Sequence, residues 1–265
     1  MTRQYRSFYL SHGGGPMPLL GDPGHRQMVD RLKAIAQTMA PPSAIVVVSA
    51  HWEADRPSIT SAASPSLIYD YYGFDERAYQ IQYPAPGAPE LARELHQKLR
   101  QAGLSPELDE TRGFDHGMFV PLSILFPEAT IPVVQLSLNH SLDPAQHIEM
   151  GRALSGLGDG KVLVVGSGFS FHNMRAFFAK DQGGADQANA AFEHWLIETC
   201  TSSRLSESQR RQRLILWEQA PGARFCHPRE EHLLPLMVCY GVTESAALEH
   251  HELAVLGKRA SFYLW

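Results

Sequence analysis

The chain has 265 residues, a formal net charge of −5 and a hydrophobic fraction of 44%, with a pI near 6.2. That size suits one large α/β domain over residues 1–265 with a substantial core, and the slight acidity argues against a nucleic-acid or anionic-membrane partner. Three cysteines without CxxC spacing (Cys200, Cys226, Cys239) argue against a disulfide framework or a thiolate zinc site, and no apolar run approaches the roughly 20 residues needed to cross a bilayer.

In chain order, the first expected strand is Ser7 to Ser11, and "FYLSHGGGPMPL" ends it abruptly at His12, three glycines and two prolines. A helix follows, with Met28, Leu32, Ile35 and Met39 along one face. "AIVVVSA", Ala44 to Ala50, reads as a buried strand delivering His51 at its end. The long loop from Ser61 to Gly87 is rich in Tyr and Pro and reads as a functional rim. Its tyrosines (Tyr69, Tyr71, Tyr72, Tyr79, Tyr83) either wall a pocket or form the loop's own small core. Leu91, Leu95 and Leu99 mark a second helix that Gly103 stops. "FDHGMFVPLSILFP" places Asp115 and His116 before Gly117 and an apolar helix.

Strands are expected again at Ile131 to Leu138 and Lys161 to Gly166, the latter running into "GSGFSFH" and His172. A helix covers Asp186 to Thr199, and a last one is expected to begin near Pro228. Near-continuous Val and Ile, in place of alternation, marks strands covered on both faces. The predicted fold is therefore α/β: a central, mostly parallel mixed sheet flanked by helices.

Thirteen histidines are a high count, and their positions carry the functional signal. His12, His51 and His172 each follow a strand, and open parallel sheets bind ligands beyond the carboxyl ends of their strands. Three imidazoles converging there would build a metal site. Asp115 either orients His116 or raises its pKa for acid–base work, or else caps the following helix. In "HPREEHLLPL", His227 and His232 lie five positions apart, so on a helix one faces the metal and the other does not. Glu230 and Glu231 are carboxylate alternatives. His25 and His147 read as surface or packing residues. The P-loop, GxGxxG, GxSxG and HExxH patterns are absent.

"SHGGGPMPLLGD", "SAHWE", "YDYYGFDERAYQIQYPAPG", "FDHGMFVPLSILFPEATIPVVQLSLN", "GSGFSFHNM" and "HPREEHLLPL" occur in order across most of the chain. Together they resemble the DOPA-type branch of the class III extradiol ring-cleavage dioxygenases, the LigB superfamily. The resemblance implies insertion of both atoms of O₂ beside the two hydroxyls of a catechol, giving a muconic semialdehyde. It implies a metal held by His12, His51 and His227, with His172 as a fourth ligand or an acid/base. His116 is implied to bind substrate and take part in catalysis beside Asp115. Where the protocatechuate branch uses a glutamate ligand, this chain has "HPREEH", making a three-histidine site. Fe(II) is expected for activity, and Zn(II) suits the same set. The alternatives are a zinc hydrolase or amidase, or a non-catalytic metal-binding protein on the same fold. A cytoplasmic enzyme, monomer or homodimer, is expected.

Overall fold

Runs of Val and Ile that must be dry on both faces explain the centre of the molecule. A computed structural model describes residues 2–177 and 183–265. In chain order its elements are β1 (Ser7–Ser11), α1 (Arg26–Thr38), β2 (Ala44–Ala54), β3 (Ser58–Thr60), α2 (Pro89–Gln101), β4 (Glu107–Asp109), α3 (His116–Leu125), β5 (Val133–Asn139) and α4 (Pro144–Ala153). There follow β6 (Val162–Gly168), α5 (Met174–Phe177), α6 (Gly183–Thr201), α7 (Glu207–Ile215), α8 (Ala223–Cys226), α9 (Leu234–Thr243), β7 (Glu249–Val255) and β8 (Lys258–Leu264).

The described residues form one eight-stranded sheet in the order β4-β3-β5-β2-β6-β1-β8-β7. Its middle, β5-β2-β6-β1, is parallel, while β3 pairs antiparallel with β5, and β8 pairs antiparallel with both β1 and β7. Successive residues point to opposite faces. Tyr9, Val46, Val48 and Val164 pack one way, with Leu236 and Cys239 of α9 and Phe192 of α6. Phe8, Ile45, Val47 and Val165 pack the other way, with Met28 and Leu32 of α1 and Phe119 of α3. The layers match the α/β expectation. Among the described residues no helix is long and apolar enough to cross a membrane.

Two segments depart from the sequence reading. The last helix starts at Leu234, with Pro235 in its first turn, and not near Pro228. Residues 228–233 form turns instead, because their backbone is engaged elsewhere: the His232 carbonyl accepts hydrogen bonds from Phe169 N and Tyr9 Oη, each at 3.0 Å. The second departure is the β7–β8 hairpin, whose two-residue turn is Leu256-Gly257 with φ of 50° and 78°. Turns of this hand favour Asn-Gly, so a leucine there hides the signal.

Glycines at the end of β6 permit the first of these arrangements. A Cβ on Gly168 would stand 2.1 Å from the His232 carbonyl oxygen, and one on Gly166 would stand 2.5 Å from that of Pro235. Neither neighbour is a flexible side chain. Gly168→Ala should therefore lower the unfolding free energy by about 3 kcal/mol, the upper part of the usual overpacking range. Chemical denaturation reads this directly, and a loss below ~0.5 kcal/mol would show that the backbone at His232 is free to move.

Candidate active site

Four strand or helix ends meet over the carboxyl edge of the parallel strands. His12 leaves β1 with its backbone N–H bonded to Gly168 O at 2.9 Å. His51 sits where β2 bulges: Val48 pairs with Leu136 of β5, but Glu53 already pairs with Leu138. Such a bulge re-aims side chains, and here it turns His51 toward His12, with their Nε2 atoms 3.1 Å apart. His232 completes the group, its ring centroid 5.3 Å from that of His12 and 5.0 Å from that of His51. His116 lies beside them, 3.9 Å from His51 between ring centroids. A ring nitrogen from each of His12, His51 and His116 lies within 4.8 Å of the others.

The bulge is braced from below. Ser49 Oγ accepts from the His51 N–H and donates to Asp115 Oδ1 at 2.8 Å. Asp115 also accepts from Arg112 Nη2 at 3.2 Å and from the Gln135 side chain, while Arg112 stacks over Trp52 at 4.4 Å. A Cβ on Gly117 would stand 2.4 Å from Ser49 Oγ, so only glycine lets α3 approach this closely. Asp115 is thus neither the partner of His116 nor a side-chain cap of α3. It anchors the strand that carries His51.

Asp70 is the carboxylate on His116. Its Oδ1 accepts from both the His116 backbone N–H, at 3.0 Å, and Nδ1, at 2.8 Å. Burial acts to raise the Asp70 pKa, but the bonds to His116 outweigh it and hold the group below the usual carboxylate range. With Nδ1 donating, the His116 Nε2 lone pair is left free. The sequence reading missed Asp70. Its signal was an acidic residue set among the tyrosines of the rim loop.

His172 stacks on His232 with 3.4 Å between centroids and 16° between planes. Its Nδ1 lies 3.1 Å from Glu231 Oε1, and the same oxygen lies 3.1 Å from His232 Nδ1. Burial would raise Glu231, but His172 holds it below the usual range. His227, expected as the third ligand, is elsewhere. Its ring stands between Phe192 and Trp217, and its Nε2 donates to Ser170 O at 2.8 Å. The turns at 228–233 carry the later histidine, His232, to the strand ends, so of the two candidates only that one reaches the group.

His12, His51, Asp70, His116, His172 and His232 line a cavity of about 600 Å³. Tyr71 and Phe74 form one wall and Phe169 and Phe177 another, with Leu256 of the hairpin turn at the mouth. A larger outer cleft of about 880 Å³ shares only His172 and Met174 with it; the imidazole cluster belongs to the smaller cavity. The rim tyrosines serve both roles expected of them. Tyr69 and Tyr71 bond to Ile81 O and Ala78 O within the loop, yet Tyr71 also faces His116 with centroids 5.7 Å apart. Gly13 makes room for an imidazole: a Cβ there would stand 2.5 Å from the His25 ring. His25 is buried and locks the glycine loop, donating from Nδ1 to Asp22 at 2.7 Å and accepting from Gly14 N–H at 2.9 Å.

Burial, followed by the neighbouring imidazoles, holds His12, His51 and His232 well below the ordinary histidine pKa. All three are therefore neutral donors at neutral pH. The buried Nε2 of His232 has no hydrogen-bond partner among the described residues. His12 Nδ1 is likewise without a partner there, and neutral imidazoles with unanswered nitrogens fit a bound divalent cation.

The chain is similar to known proteins along most of its length. The family model for the catalytic LigB subunit of aromatic ring-opening dioxygenase matches residues 7–261. A dioxygenase of Hapsidospora irregularis is 40% identical over 97% of this chain and 84% of its own length. The 4,5-DOPA dioxygenases extradiol of Beta vulgaris and Escherichia coli K12 are 38% and 35% identical, each over 89% of this chain and 85% and 84% of their own. The crystal structure of an uncharacterised Escherichia coli K12 protein superposes with a TM-score of 0.78 at 29% identity, covering 98% of this chain and 100% of that one.

The buried imidazoles make stability depend on pH in a definite direction. Burial lowers His147 to about 4 and His227 to about 3 in the folded chain, whereas the unfolded chain takes up these protons near 6.5. Stability is thus complete above pH 6.5 and falls as pH drops through that value toward the folded pKa values. These two groups alone give a slope of up to about 2.7 kcal/mol per pH unit. Denaturant titrations of chelator-treated protein from pH 7 to 4.5 should show it; a flat profile would mean that these rings are solvated.

Proposed function

The chain belongs to the family of the catalytic LigB subunit of aromatic ring-opening dioxygenases and is an extradiol dioxygenase; from that premise we propose that it cleaves a catechol of the DOPA type to a muconic semialdehyde. The observation that carries the reading is the convergence of three neutral imidazoles, buried His12 and His232 and half-buried His51, with His116 and His172 on either side. In this reading the three imidazoles hold a divalent metal and the whole chain acts as one catalytic unit. Fe(II) is the active metal, and when bound it acidifies a catechol hydroxyl and supplies the redox path to O₂ that Zn(II) lacks.

The chain's own residues do the rest. Asp70 fixes His116 with its Nε2 lone pair available, so His116 takes the proton of a catechol hydroxyl placed beside His12 and His51. His172, held by Glu231 at the mouth, keeps the second proton in reach. Tyr71, Phe74 and Phe169 supply flat apolar walls that suit an aromatic ring and exclude water. The DOPA-type substrate is supported by the names of relatives at 35–38% identity. The three unpaired, buried cysteines suit a reducing compartment, in keeping with the cytoplasm.

Two experiments test this. Metal-free protein reloaded anaerobically with Fe(II) should consume one O₂ per catechol opened, and the zinc-loaded form should consume none; oxygen uptake by strictly iron-free, zinc-loaded protein would refute the redox assignment. Asp70→Asn should leave metal content intact and lower kcat by about 100-fold, the low end for a positioned proton acceptor. Loss of the metal in that variant would instead place Asp70 in support of the ligands.

A further inference from the structure

Behind the histidine pocket lies a second polar cluster that the chemistry above does not use. Ser11, Ser170, Glu193, His227 and Ser261 are all fully buried and come from five separate segments of the chain. Their hydrogen bonds close on one another. Ser170 is held at three atoms: its N–H donates to Ser11 Oγ at 3.1 Å, its Oγ accepts from Ser261 N at 3.0 Å, and its carbonyl accepts from His227 Nε2 at 2.8 Å. Ser11 Oγ donates to Ser261 O at 3.2 Å, and Ser261 Oγ donates to Glu193 Oε2 at 2.6 Å.

The cluster's location gives it meaning. Ser11 immediately precedes His12, and Ser170 stands two residues before His172 and next to Phe169 of the pocket wall. Glu193 projects from α6 between those two strand ends and the C-terminal hairpin. Burial pushes its carboxyl up to about 7 against the pull of the Ser170 and Ser261 hydroxyls, and Arg259 acts on it only at longer range. A buried acid without a paired cation is costly, and an apolar side chain on α6, beside Phe192 and Leu196, would pack there at lower cost. The position therefore answers a polar need, which is the Ser261 hydroxyl and, through it, Ser170 and Ser11.

We propose that Glu193 is a positioning residue of the dioxygenase: through Ser261 it fixes Ser170 and Ser11, and so the two backbone segments that carry His172 and His12 into the pocket. His227 holds the opposite side of Ser170 and is a positioning residue of the same device. The inference rests on the reading that His12, His51 and His232 hold the metal. Without Glu193 the Ser261 hydroxyl loses its buried acceptor and turns to the oxygens that now hold Ser170 and Ser11. The strand ends then relax, and shifts of about 0.5 Å suffice to spoil a metal site.

Co(II) is the probe, added to the metal-free full chain and followed by its visible ligand-field absorption, with the unfolding midpoint measured alongside. Glu193→Gln keeps an acceptor for Ser261 and should bind Co(II) within about threefold of the wild type. Glu193→Leu and Ser261→Ala should each weaken Co(II) about tenfold and alter its spectrum, the scale of effect known for residues that orient metal ligands. A purely structural role would move the unfolding midpoint and leave the spectrum alone. A folded Glu193→Leu with wild-type affinity and spectrum overturns the proposal. Should that variant not fold, Ser261→Ala decides, and unchanged binding there overturns it equally. His232→Ala tests the underlying reading separately: wild-type Co(II) binding in that variant would refute the ligand set whatever Glu193 does.

Discussion

The carbonyl oxygen of His232 accepts hydrogen bonds from Phe169 N and Tyr9 Oη, and this one atom ties β1 and the turns at 228–233 to the end of β6. The approach is possible only because Gly168 has no side chain. It delays the start of α9 until Leu234 and swings the preceding turns across the sheet edge. The imidazole of His232 then arrives beside two others that the parallel strands had already brought together. The closeness of His12 and His51 follows from topology, since β1 and β2 both pair with β6. The arrival of His232 beside them follows instead from a backbone contact.

Electrostatics sorts the histidines into two kinds. His12, His51 and His232 are deep and crowd one another, so each is held neutral and offers a lone pair. His116 and His172 each touch a carboxylate, Asp70 and Glu231, and both acids are held in their charged form by that contact. Glu231 also meets His232 Nδ1 at 3.1 Å, so a carboxylate orients one of the neutral imidazoles as well. The acids stand at the outer edge of the cluster, where partial exposure lowers the cost of their charge. One pocket thus holds imidazoles in two electrostatic settings.

Much of this was legible in the residues. Unbroken Val and Ile runs specify the parallel centre because a strand buried on both faces has no polar alternation to show. His12, His51 and His172 were legible because topology alone sends strand ends to one edge. What could not be read depended on contacts between segments far apart. The choice between His227 and His232 turned on a carbonyl–amide bond to residue 169, which leaves no trace in spacing. Asp115 is adjacent to His116 in sequence yet serves Ser49, whereas Asp70 lies 46 residues away and makes the bond. Gly13 makes room for His25, a residue whose burial no local pattern announced.

The placement of Asp70 joins recognition to chemistry. It lies between Tyr69 and Tyr71, in the loop whose aromatic residues pack on Phe119 and face the pocket. The loop's shape is fixed by its own hydrogen bonds, Tyr69 to Ile81 O and Tyr71 to Ala78 O, and by Tyr83 reaching Phe126 O at 3.0 Å. The wall that a substrate ring would touch therefore also sets which nitrogen of His116 carries a proton. Tyr71 at the wall and Asp70 at His116 are adjacent residues, so the hydrogen bonds that set the loop's shape also seat the carboxylate.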